Sequence, residues 1–510
     1  MNVSMERSVP VWMASGPVAD APLLRSDEHA DVVIVGAGIA GLSTAYELMR
    51  AGKSVIVIDR GPIGGGMSSR TTAHLASALD DFYHRLISRR GLETARRYFN
   101  SQAAAIDRIE AIQQHEGIDC DFVRLDGYFF LSPGDDESLL EQEIDACEQI
   151  GFNGVSWVER APVPGVDTGR SLRFPRQGRF HPRKYMAGLA RAILRDGGRL
   201  YANTPVTGFQ ETADGVTLTA GHGHKIHAQA AVVATNSPVN DRVAVHTKQP
   251  PYRTYVIAGP VEAGSVPDAL VWDTQEAYHY VRIQPTGGAE DILIIGGEDH
   301  KTGTVHDMGD RFAALEEWTR RHYPQLQSIE YRWSGQVMEP VDYLPFTGLN
   351  HGNTHIYIHT GDSGQGMTNG VAGAMILRDL ILGLDNSWAE VTDPQRISLS
   401  AAGEFLKENI EAATHWVEHL TAGEVSSTND IQPGQGAVIR DGLKKLAVFR
   451  DESGTLHARS ATCSHAGCVV HWNPFERCWD CPCHGSHFAV DGSVLNGPAI
   501  SPLAKADYEE

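Results

Sequence analysis

Basic residues are scarce in this chain: 43 Lys and Arg stand against 64 Asp and Glu, giving a formal charge of −21 over 510 residues. Such a surface repels a phosphate backbone, so a nucleic-acid partner is not expected, and any charged protein partner should be basic. No run reaches the roughly 18 apolar residues that a membrane-spanning helix needs. The N-terminal segment intersperses Glu6, Arg7, Asp20 and Arg25 and lacks the apolar core of a secretory signal, so the expected location is cytoplasmic. Cysteine is nearly absent outside one segment: five of seven fall between Cys463 and Cys483, and only Cys120 and Cys147 lie elsewhere. A disulfide framework would spread them, whereas a tight cluster with interleaved histidines points to a metal site.

What remains is the composition of a folded protein, 42% hydrophobic and 21% charged. The length exceeds what one core supports and, at roughly 100–200 residues per domain, suggests two to four domains. Asp31 to Val35 reads as a short apolar strand running into Gly36, residues 39–51 show helical spacing, and Ser54 to Ile58 reads as a second strand. This βαβ opening implies a parallel sheet. Candidate strands follow at Ala230–Ala234, Thr254–Ala258 and Ile292–Ile295, then a strand-to-helix passage, Thr354–Thr360 and Met367–Leu382. Residues 400–421 place Phe405, Leu406, Ile410, Ala413, Trp416 and Leu420 at helical intervals, as in an amphipathic connector. Turn-rich residues 426–436 mark a domain boundary, and a small β domain follows.

Gly36-Ala-Gly38-Ile-Ala-Gly41 lies between the first strand and the helix, and Asp59 ends the next strand 23 positions after Gly36. That is a dinucleotide-binding fingerprint in its required context. The glycines, with Ala40 between them, permit a tight turn and let a pyrophosphate approach the positive end of the helix, while Asp59, followed by Arg60, can accept hydrogen bonds from a ribose.

Beyond this point the chain resembles the D-amino-acid-oxidase-like family of FAD-dependent amine oxidoreductases over about residues 30–395. The resemblance rests on Val33-Ile-Val-Gly-Ala-Gly-Ile-Ala-Gly-Leu42, Met67-Ser-Ser-Arg-Thr-Thr-Ala-His-Leu75 and Thr360-Gly-Asp-Ser-Gly-Gln-Gly-Met367. It implies that Ser69, Arg70, Thr71 and Thr72 wrap the FAD, that Val206 lies on the adenine side, and that Gly361, Gly364, Gly366 and Met367 flank the flavin. Asp59 stands where the family more often has Glu. His74 is further along the motif than the position of a covalent flavin linkage, so a dissociable flavin is expected. As catalytic residues we single out His74, which follows the wrapping segment, and Tyr280 and Arg282, which alternate on a candidate strand where Arg282 could hold a carboxylate.

Cys463-Ser-His465, then 15 residues, then Cys481-Pro-Cys-His484 offers one thiolate and one imidazole from each of two loops. A 2Fe–2S cluster with two cysteines on one iron and two histidines on the other requires that donor set, whereas zinc knuckles usually pair like with like. The segment resembles the Rieske family from about Ile431 to Leu503, through Cys463-Ser-His-Ala-Gly-Cys468 and Trp479-Asp-Cys-Pro-Cys-His-Gly-Ser486. The resemblance implies Cys463, His465, Cys481 and His484 as ligands, a disulfide between Cys468 and Cys483, and a hydrogen bond from Ser486 to a bridging sulfide. Cys478 reads as a bystander. Phe488 replaces a tyrosine of the highest-potential relatives, which should lower the potential.

The expected architecture is an α/β FAD-binding domain of Rossmann-like, glutathione-reductase type, with a mixed α+β substrate domain and a small all-β Rieske domain. We assign residues 1–395 to the oxidoreductase, with FAD-binding parts at about 30–80, 180–240 and 340–395 and substrate-domain parts at about 81–179 and 241–339. Residues 396–430 form a helical connector and linker, and 431–510 the Rieske domain. A joined flavin and Rieske cluster converts hydride chemistry into single-electron delivery. The resemblance implies oxidation of a small amine or amino acid, with electrons passed through the cluster to an external one-electron acceptor; a relay without its own amine substrate is the alternative. Only 26 residues follow His484, too few for the mononuclear iron domain of a ring-hydroxylating oxygenase, and no second nucleotide fingerprint marks an NAD(P)H reductase.

Overall fold

In a computed structural model of the chain, the described residues are 6–240, 245–304, 309–396, 403, 406, 409, 415 and 418–506. The strand Glu28–Val35 is polar at its start and fully buried over its last four residues, as a central strand covered on both faces requires. It pairs in parallel with Val55–Ile58 on one side and His224–Val233 on the other. The sheet continues in parallel to Arg199–Tyr201 at one edge and to Ile356–Thr360 toward the other, where the antiparallel strand Phe346–Leu349 closes it. A hairpin, Val206–Thr212 and Gly215–Ala220, attaches to the outer half of His224–Val233. Helices Ile39–Arg50 and Gly366–Ile381 pack together at small residues: a Cβ on Gly370 would lie 3.2 Å from the backbone nitrogen of Ala40.

A second, nine-stranded mixed sheet runs in the order Tyr331–Met338, Pro251–Glu262, Glu290–Lys301, Tyr280–Gln284, Leu270–Asp273, Val123–Phe130, Ser171–Arg179, His74–Leu75, with Ser156–Val158 beside Ser171–Arg179. Its strands outrun the apolar segments legible in the sequence: Pro251–Glu262 has 12 residues. The added ends carry polar side chains such as Arg253 and Glu262, which hydrophobic runs do not reveal.

The C-terminal part holds a three-stranded sheet, Gly436–Asp441, Lys444–Arg450 and Leu456–Ser460, and a four-stranded one, His471–Asn473, Cys478–Asp480, His487–Phe488 and Val494–Asn496. It is a small all-β domain. The connector helix read at 400–421 falls mostly outside the described residues; Gly403, Leu406, Asn409 and His415 are helical there. Leu406 and Leu420, expected on its apolar face, are exposed. Among the described residues, no helix is long and apolar enough to cross a membrane.

Candidate functional site

A cleft of about 1510 Å³ opens where the strand Glu28–Val35 turns into its helix. Gly36 sits at φ 106°, and a Cβ there would lie 2.2 Å from the carbonyl of Ala234, so the turn admits only glycine. A Cβ on Gly41 would lie 1.8 Å from the Gly36 carbonyl, so that glycine serves the packing of helix on turn rather than the cleft. Gly36, Gly38, Ala40 and Asp59 line the cleft, and the Asp59 carboxylate accepts the backbone amides of Ala37 at 2.7 Å and Gly61 at 2.9 Å. An adjoining pocket of about 370 Å³ extends it past Arg60 and Val206.

The wrapping segment divides between the cleft and the scaffold. Thr71 and Thr72 line the cleft, whereas Ser69 is fully buried, donating to the Gly64 carbonyl and accepting from Arg183 at 3.0 Å. Arg70 lines the cleft, but its guanidinium is held by Glu6 at 3.1 Å and Glu476 at 3.0 Å. From the far side Gly364, Gly366 and Met367 reach the cleft at the start of the helix Gly366–Ile381, which presents its positive end. Gly361 stands just behind them, at φ 80° against Gln249 and Pro340.

The other end of the cleft is aromatic and acidic, lined by Trp272, Tyr278, Tyr280, Asp80 and Asp299. Tyr278 donates to Asp80 at 2.9 Å, and the hydroxyls of Tyr280 and Thr254 lie 2.6 Å apart. Burial raises Asp80 to about 7, with Asp81 and Asp299 adding to it against the Tyr278 hydrogen bond; burial likewise raises Asp299 to about 7. These two acids were missed in the sequence, where nothing sets them apart from surface carboxylates. His74 lines the cleft with its Nδ1 3.0 Å from the Thr72 hydroxyl and its Nε2 3.2 Å from the Val281 carbonyl. Burial, with the nearby Arg282 charge, lowers it to about 3, so it stays neutral and donates from Nε2. Arg282 is not brought to the cleft. It is buried, and its guanidinium donates to the carbonyls of Ala73 at 3.0 Å and Phe180 at 3.1 Å and to the Gln284 side chain, so it braces the wrapping segment instead of facing a carboxylate.

In the small domain the two motif loops meet. A disulfide joins Cys468 to Cys483 with their Cα atoms 6.5 Å apart. Within each loop the backbone folds back on its cysteine: the Gly467 amide donates to the Cys463 carbonyl and the Gly485 amide to that of Cys481, both at 3.0 Å. The thiol of Cys463 is lowered, first by a hydrogen bond from Cys481 and also by the amides of His465 and Ala466 and the hydroxyl of Ser486. The rings of His465 and His484 lie 5.0 Å apart, and Nδ1 of His484 is buried without a hydrogen-bond partner among the described residues. Two touching thiols and two adjacent imidazoles, one of each per loop, fit a 2Fe–2S cluster. Cys478 lies apart, its thiol 3.4 Å from Asp480.

The histidine edge of this loop pair is turned into the protein. His246, which the sequence did not single out, is buried against both rings, 4.9 Å from His465 and 5.7 Å from His484. Gln336, on a strand lining the cleft, donates its side-chain amide to the Gly485 carbonyl at 3.1 Å. Around this contact Arg253 binds Asp480 at 2.8 Å and His487 at 3.1 Å, and His487 in turn contacts Glu6 at 3.0 Å. Burial opposes ionisation of Glu6, but Arg70, His487 and Arg253 together hold its carboxyl down at about 2.

A dinucleotide cleft fused to a thiolate–imidazole cluster fold defines a flavoenzyme with its own iron–sulfur domain. The glycine turn, which a Cβ would block, and the extension past Val206 fit FAD. The chain matches the model of the DAO family, FAD dependent oxidoreductase, over residues 31–380, and that of the Rieske [2Fe-2S] domain over residues 421–507. It belongs to this FAD-dependent oxidoreductase family, with FAD and a Rieske 2Fe–2S cluster as its cofactors. It is 29% identical over 501 residues to the Rieske 2Fe-2S iron-sulfur protein YhfW of Bacillus subtilis, covering 98% of this chain and 97% of that one. It is 28% identical to the gamma-glutamylputrescine oxidoreductase of Escherichia coli over 371 residues, 69% of this chain and 84% of that one. The fold is similar to that of glycine oxidase from Geobacillus kaustophilus, with TM-score 0.61 and 20% identity, covering 72% of this chain and 100% of that one.

Proposed function

We propose that this chain binds a cationic amine beside its flavin, oxidises it once a cleft carboxylate, Asp80 or Asp299, has taken the ammonium proton, and hands the electrons singly, through its own Rieske cluster, to an external acceptor. FAD in the cleft supplies a hydride acceptor, and a Rieske cluster supplies a one-electron carrier. Gly36, Gly38, Ala40, Asp59, Arg60, Thr71, Thr72 and Val206 would hold the dinucleotide, and Gly361, Gly364, Gly366 and Met367 the flavin edge. Ser69 and Arg70 would act by fixing the wrapping segment. Cys463, His465, Cys481 and His484 would bind the cluster.

The observation that carries this reading is the burial of the cluster loops against the flavin cleft, through His246 and the Gln336–Gly485 hydrogen bond. A cluster serving only outside partners gains nothing from a histidine edge packed on its own flavoprotein.

The cleft lining supports the substrate class. Among the described lining residues the one arginine, Arg70, is engaged by Glu6 and Glu476, so a substrate carboxylate finds no ready counter-charge. Asp80, Asp299, Trp272, Tyr278 and Tyr280 instead suit an ammonium group, through charge and aromatic faces. The Escherichia coli relative named for gamma-glutamylputrescine supports an amine in the same place. Tyr280 would pack against the substrate, and His74, neutral and fixed at both nitrogens, would shape the pocket wall without moving a proton.

An anaerobic screen of amines and amino acids, reading flavin absorbance and the electron paramagnetic resonance of the cluster, tests this reading. Bleaching by simple amines in preference to α-amino acids is expected. No bleaching by any amine, with normal reduction by dithionite, would make the protein a relay.

A further inference from the structure

Asn496 ends the last strand of the Rieske domain, yet it lines the small pocket at the far end of the FAD cleft, beside Gly36, Asp59, Arg60 and Val206. It is 1% exposed, and neither its side-chain oxygen nor its side-chain nitrogen has a hydrogen-bond partner among the described residues. The contact is tight: a Cβ on the following Gly497 would lie 3.0 Å from Val239 and 3.4 Å from the Ser237 carbonyl, both in the flavoprotein. A buried carboxamide with both ends unsatisfied is costly and rare, so a native one calls for a partner.

The partner must offer one donor and one acceptor side by side, within a pocket where the apolar Val35, Val206 and Val239 stand beside the polar Asp59, Arg60 and Thr235. The edge of adenine does so. Its exocyclic amine donates and the neighbouring ring nitrogen accepts, a pattern that an asparagine carboxamide meets with two parallel hydrogen bonds. We infer that Asn496 reads the adenine of FAD, so that the Rieske domain supplies a wall of the flavin site. FAD then bridges the two domains: its adenine is gripped by the cluster domain while its pyrophosphate lies on the glycine turn of the other. Binding FAD and docking the Rieske domain are coupled, each strengthening the other by the same factor. The inference rests on the FAD site and is independent of which substrate is oxidised.

The test uses full-length protein stripped of flavin but retaining its cluster. It is titrated, by quenching of flavin fluorescence, with FAD, with the FAD analogue carrying hypoxanthine in place of adenine, and with FMN. In the wild type the analogue, which has oxygen for the exocyclic amine, should bind about tenfold more weakly than FAD. Asn496→Ala should weaken FAD about tenfold, bring FAD and the analogue within about twofold of each other, and leave FMN binding unchanged. Unchanged FAD affinity in the variant, or an equal loss for FAD and FMN, would overturn the inference. Should the variant lose the visible circular dichroism of its cluster, the wild-type comparison decides alone: equal affinity for FAD and the analogue overturns it.

Discussion

Replacing Arg253 with methionine tests whether the buried charges hold the Rieske domain on the flavoprotein. Arg253 is fully buried, donates to Asp480 at 2.8 Å and to the Ser334 hydroxyl at 2.8 Å, and lies 3.1 Å from His487. Burial by itself would raise the Asp480 carboxyl, and the charges of Arg253 and His487 with the Asn473 hydrogen bond together outweigh it and hold the group low. Without Arg253, Asp480 keeps the Asn473 amide at 2.8 Å, the weak Cys478 thiol donor at 3.4 Å and the more distant His487 ring at 3.7 Å. Removing one partner of such a pair costs about 3–5 kcal/mol, because a buried charge is left uncompensated. Methionine matches the aliphatic length, so little of that loss comes from packing. Denaturant unfolding followed at the cluster absorbance should show the loss, whereas Arg253→Met combined with Asp480→Leu should recover most of it, since an apolar pair of similar volume serves as well as a buried ion pair. A single variant within about 0.5 kcal/mol of wild type, the behaviour of a surface pair, would refute the reasoning.

The other predictions concern the cofactors and the substrate end of the cleft. Cys468→Ser with Cys483→Ser opens a disulfide spanning 15 residues and should destabilise the small domain by about 3 kcal/mol, read as earlier loss of the cluster absorbance on heating. An unchanged midpoint would contradict that. Phe488→Tyr places a hydroxyl in the same fully buried apolar cluster as Cys463 and Cys481 and should raise the midpoint potential by tens of millivolts. An unchanged potential in a redox titration would count against a hydrogen bond to the ligand sulfur. Asp80 and Asp299, raised to about 7, are mostly neutral below pH 7 and ionise above it. An ammonium substrate needs the ionised form, so kcat/KM for an amine should rise about tenfold from pH 6 to 8. Asp80→Asn with Asp299→Asn should flatten that rise, and its persistence would exclude these acids from binding.

The parts of the site legible in the sequence are those in which backbone and chemistry lie within a few residues of one another. The turn at Gly36 and the two cluster loops impose fixed spacings, and the chain shows them. Val206 was placed through a family likeness and lines the small pocket that extends the cleft. Arg282 was misread because alternation along a strand says which residues share a face, but not that the Ala73 and Phe180 carbonyls wait on that face. Asp80 and Asp299 escaped notice because burial, not residue type, makes them unusual. His246, Asn496 and Glu6 could not be found at all: each acts across the domain contact, and the Glu6–His487 pair is separated by 481 positions. No periodicity reports such a distance.

The measurement that bears most directly on the account is a single-turnover stopped-flow experiment without oxygen, in which a reactive amine reduces the flavin and the cluster absorbance is followed at several protein concentrations. Electron passage inside one chain predicts cluster reduction at a rate independent of protein concentration. A rate proportional to protein concentration, or a cluster still oxidised after the flavin has bleached, would contradict it.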